Sequence, residues 1–421
     1  MNYSELSLAD LQKEFAKIKK EYEEIKEKGL CLDMSRGKPN FTQIDLSNDF
    51  FKLINVKTGF STESGVDCRN YGVLDGIVEL RELFAEILGV DKQNIICGGN
   101  SSLNMMFDCV SQGMTHGYGD KPWSKQGKIK FLCPVPGYDR HFAICEYFGI
   151  ELIPVKTNAD GPCMDEVEKL VKDKKVKGIW CVPKYSNPEG ITFSDEVVRR
   201  FAALKPKAKD FRIFWDNAYI VHTLYEDEPL LNIMDECKKY GNENLVLEFT
   251  STSKITFPGG GVAALAAGDE DIKRLKNRLS YQTIGPDKLN QLRHHKMFPN
   301  LNALLEHMQK HANMLRPKFD IVLNAFEKEI SSIATWTKPK GGYFISLNLN
   351  NGLAKKVHSL CKNAGLILTD AGATFPYKND PNDSNLRIAP SYPPEEELEK
   401  ACEVLCTSVK YATLEQLINN Y

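Results

Sequence analysis

The chain has 421 residues, of which 42% are hydrophobic and 26% are charged, a composition typical of globular proteins and unlike that of disordered, collagen-like or coiled-coil chains. Its 54 basic and 56 acidic residues nearly balance, so the sequence lacks the broad positive field that non-specific nucleic-acid binding requires. We therefore expect a small-molecule ligand and no nucleic acid as partner.

Neither the amino-terminal sequence nor the cysteine pattern indicates export. Residues 1–30 carry no apolar leader segment, and the most apolar stretches, such as residues 259–268, are shorter than the roughly 20 residues that cross a bilayer. The twelve cysteines stand singly, and the closest pair, Cys402 and Cys406, lacks the paired spacing of a zinc site. The sequence predicts a cytoplasmic protein with reduced thiols, no metal and no membrane partner.

The predicted elements begin with an amphipathic helix and continue as alternating strands and helices. Residues 7–28 place apolar side chains at helical spacing, with Ser7 and Asp10 in a capping-box pattern. Short apolar strands follow at residues 94–97, 129–133, 178–182, 211–215, 245–249 and 262–267. Helices are predicted after the first three of them, from about Ser101, Arg140 and Ser194. This alternation is typical of a mostly parallel sheet covered by helices, and the last strand fits an antiparallel return.

A long helix and a smaller unit follow the sheet region. Residues 301–330 keep a helical period of apolar side chains across Pro317, which predicts a helix that bridges two domains. Strands and helices alternate beyond it, at residues 342–347, 355–364, 385–388 and 395–419. We therefore expect a large α/β domain over residues 51–300, and a smaller α+β domain made of residues 301–421 with a contribution from residues 1–50.

Small polar residues follow the first predicted strand. Asn100, Ser101 and Ser102 come directly after Gly98 and Gly99, where the next helix begins. Free backbone N–H groups, hydroxyls and the positive end of the helix dipole suit a phosphate group at such a place. Small residues also serve simply to cap a helix, so the pattern alone leaves both interpretations open.

Two further groups of polar residues follow buried strands at the same edge of the predicted sheet. Asn187 stands in the turn after residues 178–182, and Asp216 and Tyr219 come directly after residues 211–215. Open α/β sheets bind ligands at the carboxyl ends of their strands, and a carboxylate placed there needs a cation or hydrogen-bond donors. The alternatives are a surface turn for Asn187 and a helix cap for Asp216.

A lysine and an arginine complete the set of candidate residues. Lys254 follows a buried strand and four hydroxyl residues and precedes Pro258 and three glycines. That position suits either a Schiff-base nucleophile with a lowered pKa or a phosphate-binding lysine. Arg387 lies within the strand at residues 385–388, where its planar fork could take a carboxylate through two hydrogen bonds or form a structural ion pair.

The order of these groups along the chain resembles that of the class I aminotransferases, which are pyridoxal-phosphate (PLP) enzymes of fold type I, and most closely the bacterial aspartate aminotransferases of type Ic. The likeness extends from about Asp33 to the carboxyl terminus. It rests on SRGKPN at residues 35–40, CPVPGYDRHF at 133–142, YSNPEG at 185–190, WDNAY at 215–219, STSK at 251–254 and NLRIAPSYP at 385–393. The resemblance implies a large domain built on a mostly parallel seven-stranded sheet.

The resemblance also implies a role for each candidate near the ring of the cofactor. Lys254 would hold PLP as a Schiff base and, once released by the substrate amine, would move a proton. Asp216 would keep the pyridine nitrogen protonated, which makes the ring an electron sink. Asn187 and Tyr219 would bond the 3-hydroxyl oxygen, and Tyr138 would stack on the ring face.

The resemblance extends to the cofactor phosphate and to a second subunit. The phosphate would be held by Asn100, Ser101, Ser102, Ser251 and Ser253. Tyr71 would reach it from a second copy of the chain, which implies a homodimer with shared active sites. Many family members also carry an arginine eight residues after the lysine, whereas this chain has Val262. Hydroxyls, backbone N–H groups or another cation must then meet the phosphate charge.

Basic residues would bind the substrate carboxylates. Arg387, with Asn187 and the backbone at Gly37, would take the α-carboxylate. A dicarboxylic substrate needs a second cation, for which the candidates are Arg36, Lys38, Arg140 and Arg278. Arg36 and Arg278 are favoured, although each could be a solvated surface charge. We expect transfer of the amino group from aspartate to 2-oxoglutarate.

Rival functions share some of these features. A carbon–sulfur lyase or an amino-acid decarboxylase would use the same lysine and aspartate. A ligand-sensing regulator with an aminotransferase-like domain would need a DNA-binding module of roughly 60 to 80 residues ahead of the motifs, which begin at Ser35. A zinc-protease site is not expected at His307 and His311, because no glutamate follows His307. The pair instead predicts a polar helix face.

Overall fold

The computed structural model describes residues 3–421, and strands and helices alternate along it. The helices are α1 (Leu8–Glu27), α2 (Phe41–Asp45), α3 (Val78–Leu88), α4 (Ser102–Thr115), α5 (Asp139–Tyr147), α6 (Met164–Leu170), α7 (Asp195–Ala202), α8 (Ile233–Lys238), α9 (Asp269–Gln282), α10 (Lys288–Met297), α11 (Leu301–Glu329), α12 (Ala354–Asn363) and α13 (Glu395–Asn419). The strands are β1 (Leu32–Asp33), β2 (Ile95–Cys97), β3 (Lys130–Val135), β4 (Glu151–Asn158), β5 (Gly161–Pro162), β6 (Val176–Cys181), β7 (Arg212–Asp216), β8 (Val246–Ser251), β9 (Ala263–Ala267), β10 (Thr335–Trp336), β11 (Ile345–Asn348), β12 (Leu366–Ile367) and β13 (Asn385–Ile388).

One large sheet carries the strands of the first three quarters of the chain. Its order is β2-β9-β8-β7-β6-β3-β4-β5. The central strands run parallel to one another, and β9 is antiparallel to both of its neighbours, as the sequence predicts. The sheet has one strand more than the seven expected, because the two-residue strand β5 folds back on β4. The predicted α/β class is confirmed.

The central strands are buried along both faces. Every residue of β6, β7 and β8 is buried, which is typical of parallel strands covered by helices on both sides. Arg212 of β7 is tolerated there because its guanidinium donates to both carboxylate oxygens of Asp271 in α9, at 2.5 and 3.1 Å. At their carboxyl ends, β7 and β8 place the polar residues Asp216 and Ser251.

The two ends of the chain share a second hydrophobic core. Tyr22 and Met34 from the amino-terminal segment pack with Leu347, Leu386 and Leu405 from the carboxyl-terminal region. Strand β1 pairs with β12, and β10, β11 and β13 form a three-stranded sheet. This packing agrees with the predicted contribution of residues 1–50 to a smaller unit, while the boundaries at residues 50 and 300 stay predictions.

Helix α11 contributes side chains to two hydrophobic clusters, and it continues through Pro317 without interruption. Leu304 lies in the cluster around α3 and β2, whereas Phe319 and Phe326 lie in the core shared by the two chain ends. The predicted polar face at His307 and His311 is wrong, since these side chains are only 6% and 1% exposed. Their spacing from Leu304 puts both on the apolar stripe of the helix.

Two further observations bear on the environment of the protein. Across residues 3–421, none of the helices combines the length and the apolar character needed to traverse a bilayer. All twelve cysteines are free thiols, in line with the predicted reduced state.

Candidate active site

The polar residues predicted from the strand ends converge on one edge of the large sheet. Asp216 ends β7, Ser251 ends β8, and Asn187 follows β6. Arg387 of β13 reaches Asn187 from the smaller sheet, with its Nη1 3.3 Å from Asn187 Oδ1. The cleft between the two sheets therefore contains groups that lie far apart in the sequence.

A buried carboxylate and an imidazole form the floor of this cleft. His141 Nε2 lies 2.9 Å from Asp216 Oδ2, and the imidazole stacks on Trp180 with ring centres 4.5 Å apart. The other carboxylate oxygen, Oδ1, is buried and accepts no hydrogen bond from any residue of the described chain. A buried acceptor of this kind is costly unless a donor meets it. Asp216 is thus prepared for an N–H group from outside the chain.

Sequence reasoning did not identify His141, although a signal was present. Tyr138 precedes α5 and His141 lies in its first turn, so the two residues, three apart, face the same side of the helix. Their rings are 4.9 Å apart in an edge-on arrangement. A residue one helical turn after a predicted stacking tyrosine was therefore a candidate for the same cleft.

Burial keeps the tyrosines of the cleft protonated. Desolvation raises the pKa of Tyr138 to about 12, and it raises the pKa of Tyr219 well above the ordinary value. Negative charge on Asp216 acts in the same direction on both groups. Both hydroxyls are therefore hydrogen-bond donors at neutral pH.

Lys254 lies in the turn after β8, above the ring of Tyr219. Its Nζ is 4.9 Å from the ring centre, and no salt bridge joins it to another residue in the described range 3–421. Desolvation lowers the pKa of Lys254, and the charge of Asp216 opposes this effect. A lysine with a lowered pKa has a larger uncharged fraction, which is the form that acts as a nucleophile or base.

The hydroxyl residues predicted to hold a phosphate lie together at the start of α4. Ser251 Oγ lies 3.1 Å from Ser253 Oγ, and Ser253 Oγ donates to the carbonyl of Asn100 at 2.9 Å. Ser101 and Ser102 stand at the amino-terminal end of the helix. The hydroxyls of Ser251 and Ser253 therefore lie beside the positive end of the α4 dipole, a place that suits an anion.

Val262 and Tyr71 do not belong to this hydroxyl cluster. Val262 is buried, and its N–H donates to Thr252 Oγ1 at 2.8 Å, so its side chain belongs to the core. Tyr71 is 81% exposed, so its side chain lies on the surface of the chain and not in the cleft. Within one chain, Tyr71 does not join the group.

Arg387 is held by side chains that the sequence did not single out. Its Nη1 donates to Asp139 Oδ1 at 2.8 Å, Nη2 donates to Thr369 Oγ1 at 3.3 Å, and its guanidinium lies 5.0 Å from the centre of the Phe344 ring. Gly37 packs against the same ring, where a Cβ would come within 2.4 Å of Phe344 Cζ. The glycine is required by this close approach.

The four candidate cations for a second carboxylate have different surroundings. Arg36 and Arg140 are exposed, and Lys38 Nζ lies 3.8 Å from the centre of the Tyr392 ring. Arg278 donates to Asp108 at 3.3 Å and to Ser111 at 3.2 Å, both on α4 of the same chain. No hydrogen bond joins these four side chains to Arg387 in the part of the chain that the structure describes.

Comparison with known proteins agrees with this geometry. The profile of the aspartate amino-transferase family matches residues 4–421. The chain is 45% identical over 428 residues to a putative aminotransferase of Mycolicibacterium smegmatis, with all of both chains covered. It is also 45% identical over 407 residues to an aspartate aminotransferase of Corynebacterium glutamicum, which covers 96% of this chain and 94% of that protein.

A solved structure gives the same result. The crystal structure of an aspartate transaminase from Corynebacterium glutamicum superposes with a TM-score of 0.96 at 43% identity and covers 99% of both chains. The chain therefore belongs to the aspartate amino-transferase family. It is an aminotransferase of fold type I, and the family and enzyme class predicted from the motifs are confirmed.

Proposed function

We propose that this enzyme transfers the amino group of L-aspartate to 2-oxoglutarate, with PLP as cofactor, in a cytoplasmic homodimer. Three groups that lie in one cleft support this proposal. They are the unpartnered Oδ1 of Asp216, the amine of Lys254 and the guanidinium of Arg387. The free thiols of the cysteines support a reducing compartment.

The donor set of the cleft fits PLP. A buried, unpartnered carboxylate oxygen suits a protonated ring nitrogen, and the hydroxyl cluster of Ser251 and Ser253 beside the start of α4 suits the phosphate. When bound, PLP supplies an electron sink for charge that develops at the substrate α-carbon. Asp216 would hold a proton at the ring nitrogen, and His141 would hold Asp216 in position.

The chain's own groups divide the remaining tasks. Lys254 would bind the cofactor and, after release, move a proton to and from the substrate α-carbon, for which its lowered pKa is suited. The protonated hydroxyl of Tyr219 would donate to the 3-hydroxyl oxygen of the cofactor, together with the amide of Asn187. Tyr138 would cover the ring and exclude water from it.

Arg387 retains an open edge for the substrate α-carboxylate. Its Nη1 is engaged by Asp139 and Asn187, and one hydrogen of Nη2 is donated to Thr369 at 3.3 Å, whereas Nε is buried with no partner among residues 3–421. Nε and Nη2 lie on one side of the planar fork and can bind both oxygens of a carboxylate. An amino acid bound there is oriented by its α-carboxylate, with its side chain left to a second cation.

Aspartate is the preferred substrate in this proposal because the named relatives at 43–45% identity are aspartate aminotransferases. The second carboxylate would be read by Arg36 or Arg278, with Lys38 and Arg140 as further candidates. The test is kcat/KM for aspartate and for alanine in Arg36→Ala and Arg278→Ala. A loss confined to aspartate identifies the cation, and an unchanged value for aspartate removes that residue.

A homodimer would supply the missing side of the site. Aromatic and aliphatic side chains stand well exposed on one chain, namely Phe51, Val56, Tyr71, Tyr281 and Ile284, and such residues suit burial in an interface. Tyr71 would then contact the cofactor phosphate of the second copy. Light scattering of the purified protein should give a mass of about twice that of one chain.

Product analysis tests the reaction type. The purified enzyme with PLP, aspartate and 2-oxoglutarate should form oxaloacetate and glutamate in equal amounts. Pyruvate and ammonia from cystine without oxaloacetate from aspartate would instead establish a lyase. Carbon dioxide release from aspartate would establish a decarboxylase.

A further inference from the structure

Buried histidines surround the turn that carries Lys254. His294 of α10 and His307 and His311 of α11 are 0%, 6% and 1% exposed. A fourth, His222, is also buried, and the charge of Lys254 adds to desolvation in lowering its pKa. Desolvation lowers the pKa of the other three as well, so the four imidazoles are uncharged at neutral pH. The reaction assigned above gives these residues no role.

His294 holds the turn from one side. Its Nε2 lies 2.9 Å from Thr252 Oγ1 and 3.0 Å from Thr256 Oγ1. Its Nδ1 lies 2.9 Å from the carbonyl of Asn290, which can only accept, so Nδ1 carries the hydrogen and Nε2 accepts from the hydroxyls. The residues on both sides of Lys254 are therefore tied to α10.

His311 and His307 hold the turn from the other side. Their Nε2 atoms lie 3.0 and 2.9 Å from the carbonyl oxygen of Ile255, the residue that follows Lys254. The two Nε2 atoms are 3.1 Å apart. The carbonyl oxygen of Ile255 thus lies within hydrogen-bond distance of two imidazoles, which belong to consecutive turns of α11.

Gln43 of α2 determines which nitrogen of His311 donates. Its Oε1 accepts from the backbone N–H of Asn40 at 3.2 Å, so its Nε2 is the amide donor. That Nε2 lies 3.2 Å from both His311 Nδ1 and the hydroxyl of Tyr343. His311 Nδ1 therefore accepts, and its Nε2 carries the hydrogen that is donated to the carbonyl of Ile255.

This network connects the amino-terminal segment with the lysine. Gln43 belongs to a capping box with Asn40, and Asn40 ends the SRGKPN motif that contains Arg36 and Gly37. Gln43 and Tyr343 are fully buried, so the connection is shielded from water. We propose that His311 is a positioning residue for Lys254, through which the seating of residues 35–43 fixes the orientation of the lysine. This rests on the proposed role of Lys254 in proton transfer.

The test uses full-length holoenzyme with three variants. His311→Leu removes the donor at similar volume, His311→Gln retains an N–H group, and Gln43→Leu removes the partner. We measure kcat, KM for aspartate and the isotope effect on kcat with α-deuterated aspartate. A displaced lysine slows proton transfer, so His311→Leu should lower kcat by about 10- to 100-fold with little change in KM and a larger isotope effect.

The effects of these substitutions on kcat should not be additive. His311→Gln should recover a substantial part of kcat, and His311→Leu combined with Gln43→Leu should be no slower than His311→Leu alone, since both remove the same connection. If His311→Leu does not fold, His311→Gln and Gln43→Leu carry the test, with Gln43→Leu expected to lower kcat and raise the isotope effect.

Two controls on the same helix separate positioning from general stability. Gln309→Ala alters an exposed residue between the histidines, and Phe326→Leu weakens the core at the far end of α11. Both should leave the isotope effect unchanged. The inference is overturned if the His311 and Gln43 variants keep the wild-type kcat and isotope effect, or if Phe326→Leu changes them equally. A wild-type enzyme that does not convert aspartate would instead refute the proposed function.

Discussion

His141 Nε2 lies 2.9 Å from Asp216 Oδ2, and both side chains are almost completely buried. The imidazole is fixed in turn by stacking on Trp180. One carboxylate oxygen of Asp216 is thereby held while the other, Oδ1, stays open toward the cleft. This division of the two oxygens sets the direction in which Asp216 can bind a cofactor.

Replacing His141 should weaken catalysis without removing the cofactor. His141→Phe keeps a ring against Trp180 but removes the hydrogen bond to a charged group, which is worth about 1.5–3 kcal/mol. We expect kcat/KM for aspartate to fall by about 10- to 100-fold. His358→Phe, in α12, serves as a control and should have no effect. Wild-type kcat/KM in His141→Phe would show that Asp216 does not depend on this contact.

Arg387→Lys should affect substrate binding most. Lysine keeps the positive charge but loses the planar fork, whose Nε and Nη2 are assigned to the two carboxylate oxygens. We expect KM for aspartate to rise and kcat/KM to fall by about 10- to 100-fold, measured by steady-state kinetics. The absorption band of bound PLP should persist. An unchanged KM would place the α-carboxylate elsewhere.

Mixed dimers should show whether the active site is shared. Tyr71→Ala and Lys254→Ala chains should each be weakly active or inactive alone. In a heterodimer, one site combines an intact Lys254 with the Tyr71 of the second copy, so random mixing after refolding should restore about a quarter of wild-type activity. No recovery, with heterodimers verified by mass, would show that each site is complete within one chain.

Acid should destabilise the fold through its buried histidines. Burial lowers the pKa of His294 from 6.5 to about 4. The unfolded chain therefore binds a proton that the folded chain excludes, and stability is lost as the pH falls from about 6.5 toward 4. One such group contributes about 2 kcal/mol of the loss between pH 7 and 5.

Urea unfolding at pH 7 and pH 5 measures this contribution. His294→Asn should be less stable than the wild type at pH 7, because the contacts to Thr252 and Thr256 are altered. Its further loss between pH 7 and 5 should be smaller than that of the wild type by about 2 kcal/mol. Equal losses in both proteins would mean that His294 is already protonated at neutral pH or exposed to solvent.

Much of the fold could be predicted because the spacing of the apolar residues in a segment and the residues that flank it indicate the same helix or strand. Helix α13 spans Glu395–Asn419, as predicted, since a long apolar period follows Pro394 directly. Strand β4 was not predicted, because its outer positions are exposed and include Pro154 and Lys156. Helix α9 was also missed, since charged residues dominate it and mask its apolar stripe.

The supporting residues of the site were harder to predict than the residues that would touch the ligand. Asp216 and Lys254 directly follow buried strands, so their place at the sheet edge follows from chain order. His141, His307 and His311 have polar side chains on helices, and only the packing of distant segments shows that they are buried. Their partners, such as the carbonyl of Ile255, carry no signature in the sequence.

The absorption spectrum of the purified protein with PLP shows whether Lys254 binds the cofactor and whether the bound cofactor exchanges an amino group with aspartate. A band near 360 to 430 nm should appear in the wild type, shift to about 330 nm with aspartate and return with 2-oxoglutarate, as cofactor chemistry at a lysine requires. Lys254→Ala should not complete this cycle. No band in the wild type after PLP is supplied would contradict the proposed cofactor, and a band that aspartate does not change would contradict aspartate as the substrate.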